Sequence, residues 1–134
     1  MNYWLVKSDA DTYSWQRFLS EGTAVWDGVR NYQARNYLKA MKCDDLVLFY
    51  HSNAGKEVVG LAKVVKEAYP DPSADELKWV AVDLAAVSEF KKYVKIEQIK
   101  AEIKLKDVLL IKHSRLSVMP LNKEQFELVC NMGK

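Results

Sequence analysis

Apolar positions along the chain change period several times, and each change marks an element. Tyr3 to Lys7 alternates and carries aromatic and branched residues, which predicts a strand ending at Ser8. Trp15, Phe18 and Leu19 then fall at i, i+3 and i+4, so a helix follows, with Asp11 or Thr12 as its cap, Gly22 as its stop and its aromatics in the core. A second helix takes Asn31 as its N-cap and buries Ala34, Tyr37, Leu38 and Met41, leaving Tyr32, Arg35, Asn36 and Lys39 on the outer face.

The next stretch is strand-like. Leu46 to Tyr50 is an unbroken apolar run suited to a central strand, and His51 to Gly55 reads as its turn. Glu57 to Tyr69 and Lys78 to Glu89 form a longer antiparallel pair joined through Pro70-Asp-Pro-Ser-Ala-Asp. Short helices are expected at Ile96 to Ala101 and Lys106 to Ile111, and a short strand at Leu116 to Met119, closed by Pro120. Leu121-Asn122-x-x-Gln125-Phe126 combines a capping box with a hydrophobic staple and opens a C-terminal helix with Phe126, Val129 and Cys130 inward. Strands broken by helices without strict βαβ alternation predict an α+β domain built on a largely antiparallel sheet or small barrel.

Length and composition fit one domain spanning residues 1–134, since the chain has 134 residues, 49% of them hydrophobic and 28% charged. The chain lacks an 18-residue apolar run, and its start lacks the regions of a secretory signal, so a cytoplasmic protein is expected, nuclear if the source is eukaryotic, with no membrane partner. Cys43 and Cys130 belong to no cluster with zinc spacing and read as two buried thiols; no metal and no cofactor are expected. The net charge of +2 is unevenly spread: Lys91 to Arg115 carries eight Lys or Arg against three acids, a local +5 with −3 elsewhere. Such a segment suits a phosphate backbone as well as it suits solvated helix faces.

Candidate chemistry concentrates between Val25 and Ser52. Trp26, Arg30, Asn31, Arg35, His51 and Ser52 offer a stacking surface, cations and hydrogen-bonding groups, an inventory better suited to nucleic acid than to catalysis. Each also has a plain structural use. Trp26 serves either as a stacking face at the rim of the Asp27-Gly28 turn or as a core tryptophan, and Asn31 either reads a base edge or caps its helix. Ser8 meets a base or its own backbone, Tyr50 and His51 end an apolar strand, and Arg115 reaches a phosphate or braces the pocket through a carboxylate.

Five ordered blocks, Tyr3-Trp-Leu-Val-Lys-Ser8, Trp26-Asp-Gly-Val-Arg-Asn-Tyr-Gln-Ala-Arg-Asn36, Leu48-Phe-Tyr-His-Ser52, Gly60 to Pro72 and Arg115-Leu-Ser-Val-Met-Pro120, make nearly the whole chain resemble the EVE domain, a member of the PUA-like superfamily. The resemblance implies a small mixed, largely antiparallel β-barrel with flanking helices and a pocket that receives a modified nucleobase, as the related YTH domain holds a methylated base between aromatics. It places Lys7, Ser8, Trp26, Arg30, Asn31, Tyr50, His51, Ser52, Arg115, Ser117 and Val118 around that pocket; Arg35, from its own place on the outer face of the second helix, is expected to add charge for a phosphate. Two features depart from the family: Ser8-Asp9-Ala10 stands where Ser-Glu-Pro is usual, and only Ser73 to Leu77 separate Pro72 from Lys78 where many members carry a longer loop.

The expectation is therefore a non-catalytic, monomeric domain that binds DNA or RNA carrying a methylated or hydroxymethylated base in an aromatic-lined pocket. An enzyme of the similar ASCH type, drawing on His51, His113, Lys7, Asp9 and Asp27 for acid–base chemistry, is the alternative, and a nucleoside sensor is a third reading.

Overall fold

In the computed structural model, which describes residues 1–134, β1 (Tyr3–Ser8) leads through α1 (Trp15–Glu21) and β2 (Thr23–Trp26) into α2 (Tyr32–Ala40) and β3 (Leu46–His51). The hairpin of β4 (Glu57–Pro70) and β5 (Val80–Lys95) follows, then α3 (Ile96–Ala101), a 3-10 turn (Ile103–Leu105), α4 (Leu109–Lys112), β6 (Val118–Leu121) and α5 (Lys123–Met132). The strands form one sheet in the order β2-β5-β4-β3-β1-β6. Only β1 and β3 run parallel, because the segment between them crosses over the sheet; every other pair is antiparallel.

β1 and β3 lie inside the sheet and bury side chains on both faces, which is why Leu46 to Tyr50 is continuously apolar. Trp15 and Phe18 from α1 meet Phe49 of β3 with ring centroids 5.3 and 5.5 Å away, edge-on for Trp15 and stacked for Phe18. Gly60 is required beneath that cluster, since a Cβ there would lie 2.4 Å from the Trp15 ring. Register shifts between Val58 and Gly60 and again between Val64 and Tyr69 bend the β4–β5 hairpin. The family's barrel appears as a sheet that does not close: β2 and β6 are its two free edges, and a cavity lies between them.

Several local expectations shift. Ser14, not Asp11 or Thr12, caps α1 by accepting from the Arg17 N–H, because residues 9–13 already form a turn on the Asp9 carbonyl. Leu19 points outward at 41% exposure. β2 carried no clear sequence signal, being four residues long. β5 runs on to Lys95, so Lys91, Lys92 and Lys95 belong to a strand. Of the helix expected at Lys106 to Ile111 only the end forms, as α4 from Leu109, and a 3-10 turn at Ile103–Leu105 precedes it. β6 begins two residues later than expected and contains Pro120, which an edge strand tolerates because one side of it needs no N–H donor. Cys43 is exposed rather than buried; Cys130 is half-buried, and burial pushes its thiol up to about 11. The capping box of α5 forms as the sequence predicts: Asn122 Oδ1 accepts from Gln125 N–H and Gln125 Oε1 from Asn122 N–H. No helix is long and apolar enough to cross a membrane, and no group of three or more His, Cys, Asp or Glu side chains is placed to hold a metal ion.

Candidate functional site

The cavity between the sheet edges has a volume of about 610 Å³, inside the range of roughly 300–1,000 Å³ usual for ligand sites. The end of β1 supplies Lys7, Ser8 and Asp9, and the following turn Thr12 and Tyr13. α1 adds Glu21, residues 23–30 form the longest wall, and Ser117 closes the side nearest β6.

A loop-to-loop anchor sets the shape of that wall. After Trp26 the chain turns at Gly28, whose φ of +77° favours glycine, and Gly28 N–H donates to Asp71 Oδ2 at 2.9 Å. Arg30 Nη1 donates to the same oxygen at 2.9 Å, while Ser73 gives its N–H and its hydroxyl to Oδ1, both at 2.7 Å. The Asp71 side chain is completely buried. Burial pushes its carboxyl up, but the Ser73 hydroxyl, the Arg30 guanidinium and the two backbone N–H groups outweigh that and hold it down at about 2. Arg30 is therefore largely spent on Asp71, and the short loop after Pro72 serves to fix the pocket wall.

On the opposite side, Lys7 Nζ donates to Ser114 O at 2.7 Å and Lys7 N–H to Ser117 O at 2.9 Å, tying the α4–β6 loop to the pocket floor. Burial lowers the Lys7 pKa from its ordinary value. Ser8 Oγ donates to Tyr13 O. Ala10, which stands where the family usually has proline, donates its N–H to Asn53 Oδ1 at 2.8 Å, a bond proline has no hydrogen to make. Asn53 also donates to Asp11 at 2.9 Å, so side-chain bonds hold the turn that a ring holds elsewhere.

Trp26 lines the cavity but is only 8% exposed. It meets Phe49 and Tyr13 edge-on, at 5.6 Å and 6.3 Å, with interplanar angles of 80° and 81°. Tyr13 and Trp26 are thus perpendicular, and a flat ligand lying on one ring would meet the other by its edge. Tyr13 donates to Glu21 Oε1 at 2.7 Å; burial and that hydrogen bond raise its pKa strongly. The lining is acidic on balance, with Asp9, Glu21 and Asp27 against Lys7 and the already paired Arg30.

Five of the residues expected around the site line it: Lys7, Ser8, Trp26, Arg30 and Ser117. The other seven lie elsewhere. Asn31 caps α2, its Oδ1 accepting from Ala34 N–H at 2.9 Å. Arg35 lies over the Tyr32 ring and donates to Asn36 Oδ1 and Lys78 O. Tyr50 and Val118 are buried in their strands. His51 Nε2 accepts the Trp15 N–H at 3.0 Å, which makes it a lone-pair acceptor beneath α1, and burial lowers its pKa further. The general acid–base role weighed for His51 is thus taken up by a structural bond. Ser52 donates its N–H to Ser8 O, and Arg115 is exposed and makes no ion pair, so it braces nothing through a carboxylate. Sequence reasoning missed Thr12, Tyr13 and Glu21 as pocket residues; the Asp27-Gly28 turn was a legible sign for the wall, whereas Tyr13 carried none.

Comparison with known proteins settles the family. The EVE domain model matches residues 2–132. The chain belongs to the EVE domain family. It is 38% identical to mouse thymocyte nuclear protein 1 over 98% of the chain and 73% of that protein. A crystal structure of a protein from Agrobacterium tumefaciens matches with a TM-score of 0.97 at 43% identity, covering 99% of this chain and 93% of that one. Human THYN1 protein, solved in complex with 5-methylcytosine-containing DNA, matches with a TM-score of 0.93 at 34% identity, covering 100% and 98%. The six-stranded, mostly antiparallel sheet with flanking helices is the PUA-like type that the EVE resemblance implied.

Proposed function

We propose that this EVE domain binds nucleic acid by taking a modified base, of the methylated cytosine kind, into the cavity between β2 and β6. The observation that carries the reading is its likeness, along essentially the whole chain, to a human protein solved with 5-methylcytosine-containing DNA. The character of the cavity supports it. Three carboxylates in the lining repel phosphate, so the uncharged base is the part of a nucleotide that enters, and the backbone stays outside. Trp26 supplies the stacking face and Tyr13 an edge contact. The Asp27 carboxylate, which accepts no hydrogen bond within the protein, suits an exocyclic amine such as cytosine N4, and Lys7 keeps two N–H groups for a base acceptor. Recognition requires a free base edge, hence a single strand or an extruded nucleotide.

The test is fluorescence polarisation with matched oligonucleotides, single- and double-stranded, carrying cytosine, 5-methylcytosine, 5-hydroxymethylcytosine or N6-methyladenine, at two salt concentrations. A methyl read by apolar contact gives a preference of about 10- to 200-fold. Equal, strongly salt-dependent affinity for every oligonucleotide would reduce the protein to a generic electrostatic surface. Lys7→Met should lower affinity for the preferred base while Trp26→Phe keeps the fold and weakens stacking. Trp26→Ala is a poor probe, since the ring is also packed against Phe49.

A further inference from the structure

Beside the pocket wall, on the outer face of α2, lies a layered cluster that takes no part in lining the cavity. Tyr32, 54% exposed, packs its ring 5.1 Å from Trp79 at 35°, and Arg35 Cζ lies 5.0 Å from the Tyr32 centroid. Lys78 Nζ donates to Tyr32 Oη at 2.9 Å and lies 5.2 Å from the Trp79 centroid. Arg30 joins the cluster to the cavity: it lines the pocket, and its Cζ is 5.7 Å from the Trp79 ring. Arg35 has no carboxylate partner, whereas Lys78 Nζ also pairs with Glu76 Oε2 at 3.3 Å, so Arg35 is the free cation of the cluster.

Tyr32 covers the buried Trp79 yet leaves 54% of its own surface in water. Lys78 is held at its hydroxyl by a hydrogen bond, and Arg35 is held over its ring by bonds to Asn36 and the Lys78 carbonyl, an ordering that costs side-chain entropy. The arrangement matches what a single strand needs next to a base pocket: a π-surface for the neighbouring base and positive charge for the phosphate between them. The acidic cavity lining requires that charge to lie outside, and here it does.

We propose that the Tyr32–Arg35 layer, backed by Trp79 and Lys78, is a second subsite that stacks the nucleotide adjacent to the pocketed base and holds the intervening phosphate with Arg35 and Lys78. This rests on the base-pocket reading above and adds a platform with its own sequence-independent share of the affinity. It accepts any base, because every base has a π-face.

The test compares two ligands of the same wild-type protein and its variants: a modified nucleoside, which has no phosphate and reaches only the pocket, and a single-stranded pentanucleotide with the same base at its centre. Tyr32→Leu should weaken the pentanucleotide about tenfold and leave the nucleoside unchanged, while Tyr32→Phe, which keeps the ring and loses the Lys78 bond, retains most of the affinity. Arg35→Gln should weaken the pentanucleotide and reduce the slope of its affinity with salt by about one phosphate contact. Equal loss for both ligands, or no loss for either, overturns the platform. Wild-type protein that binds the nucleoside but gains nothing from the longer strand overturns it too. Failure of wild-type protein to prefer any modified base falls on the pocket reading instead and is seen before any variant is made.

Discussion

Asp45 and Asp71 are both buried carboxylates that gather several donors, and they differ in what those donors belong to. Asp45 takes the N–H groups of Asn2 and Lys42 and the Trp4 indole N–H, each at 3.0 Å, all neutral and all from the packed side of the sheet. Asp71 takes a guanidinium, a hydroxyl and two N–H groups from two loops, one of which is the pocket wall. The first ties the start of β1 to the turn before β3 and so belongs to the fold. The second holds a binding surface in one conformation, and its arginine side chain is 39% exposed, which leaves water able to replace part of what it does.

That difference is sharpest in stability. Asp45→Ala leaves the Trp4 indole N–H and two backbone donors without partners in a dry site, and a cost of about 3 to 4 kcal/mol is expected from urea unfolding. Affinity for an oligonucleotide, measured where the variant is still folded, should stay as in the wild type. A cost under about 1 kcal/mol would mean that water reaches the site and that the two aspartates are alike after all.

Asp71→Asn should have the opposite profile, with a smaller loss of stability and a marked loss of binding, because Gly28 and Arg30 are released from a single point. Its pH dependence is specific. The folded carboxyl is depressed to about 2 from the ordinary 3.8, so its contribution is fully present above pH 4 and is lost as pH falls through 2. The shift corresponds to about 2 kcal/mol, and the stability difference between wild type and Asp71→Asn should shrink by that amount between pH 5 and pH 2. A difference that does not change with pH would show that burial cancels the bonds to Asp71 and that its carboxyl is not depressed in the folded state.

The same contrast explains what was legible in the sequence. Local signals transferred well: the Asn31 and Asn122 caps and the apolar run of β3 are set by neighbours a few residues apart. The family blocks pointed to strand ends, and Lys7, Ser8, Trp26, Arg30 and Ser117 from them line the cavity. What they could not carry is which side chains the fold itself consumes. His51 is taken by the Trp15 amide and Arg30 by Asp71, through contacts 36 and 41 residues apart that no spacing rule encodes. Tyr13 joined the pocket for the same reason, since only the open edge of β2 brings it opposite Trp26.

The smallest effect separates the two halves of the Asp71 anchor. Ser73→Ala removes one hydroxyl bond to Oδ1 and the weak 3.3 Å contact to Arg30 Nη2, but it keeps the Ser73 N–H on the same carboxylate, so about 1 kcal/mol is expected. The hydroxyl is the strongest of the bonds that lower the Asp71 pKa, and its loss should move the acid limb of the unfolding curve to higher pH while leaving the Gly28 bond and the pocket wall in place. Oligonucleotide affinity at neutral pH should then be nearly unchanged. If Ser73→Ala instead lowers affinity as far as Asp71→Asn does, the loop after Pro72 holds the wall through its hydroxyl, and the carboxylate is only the site where the bond lands.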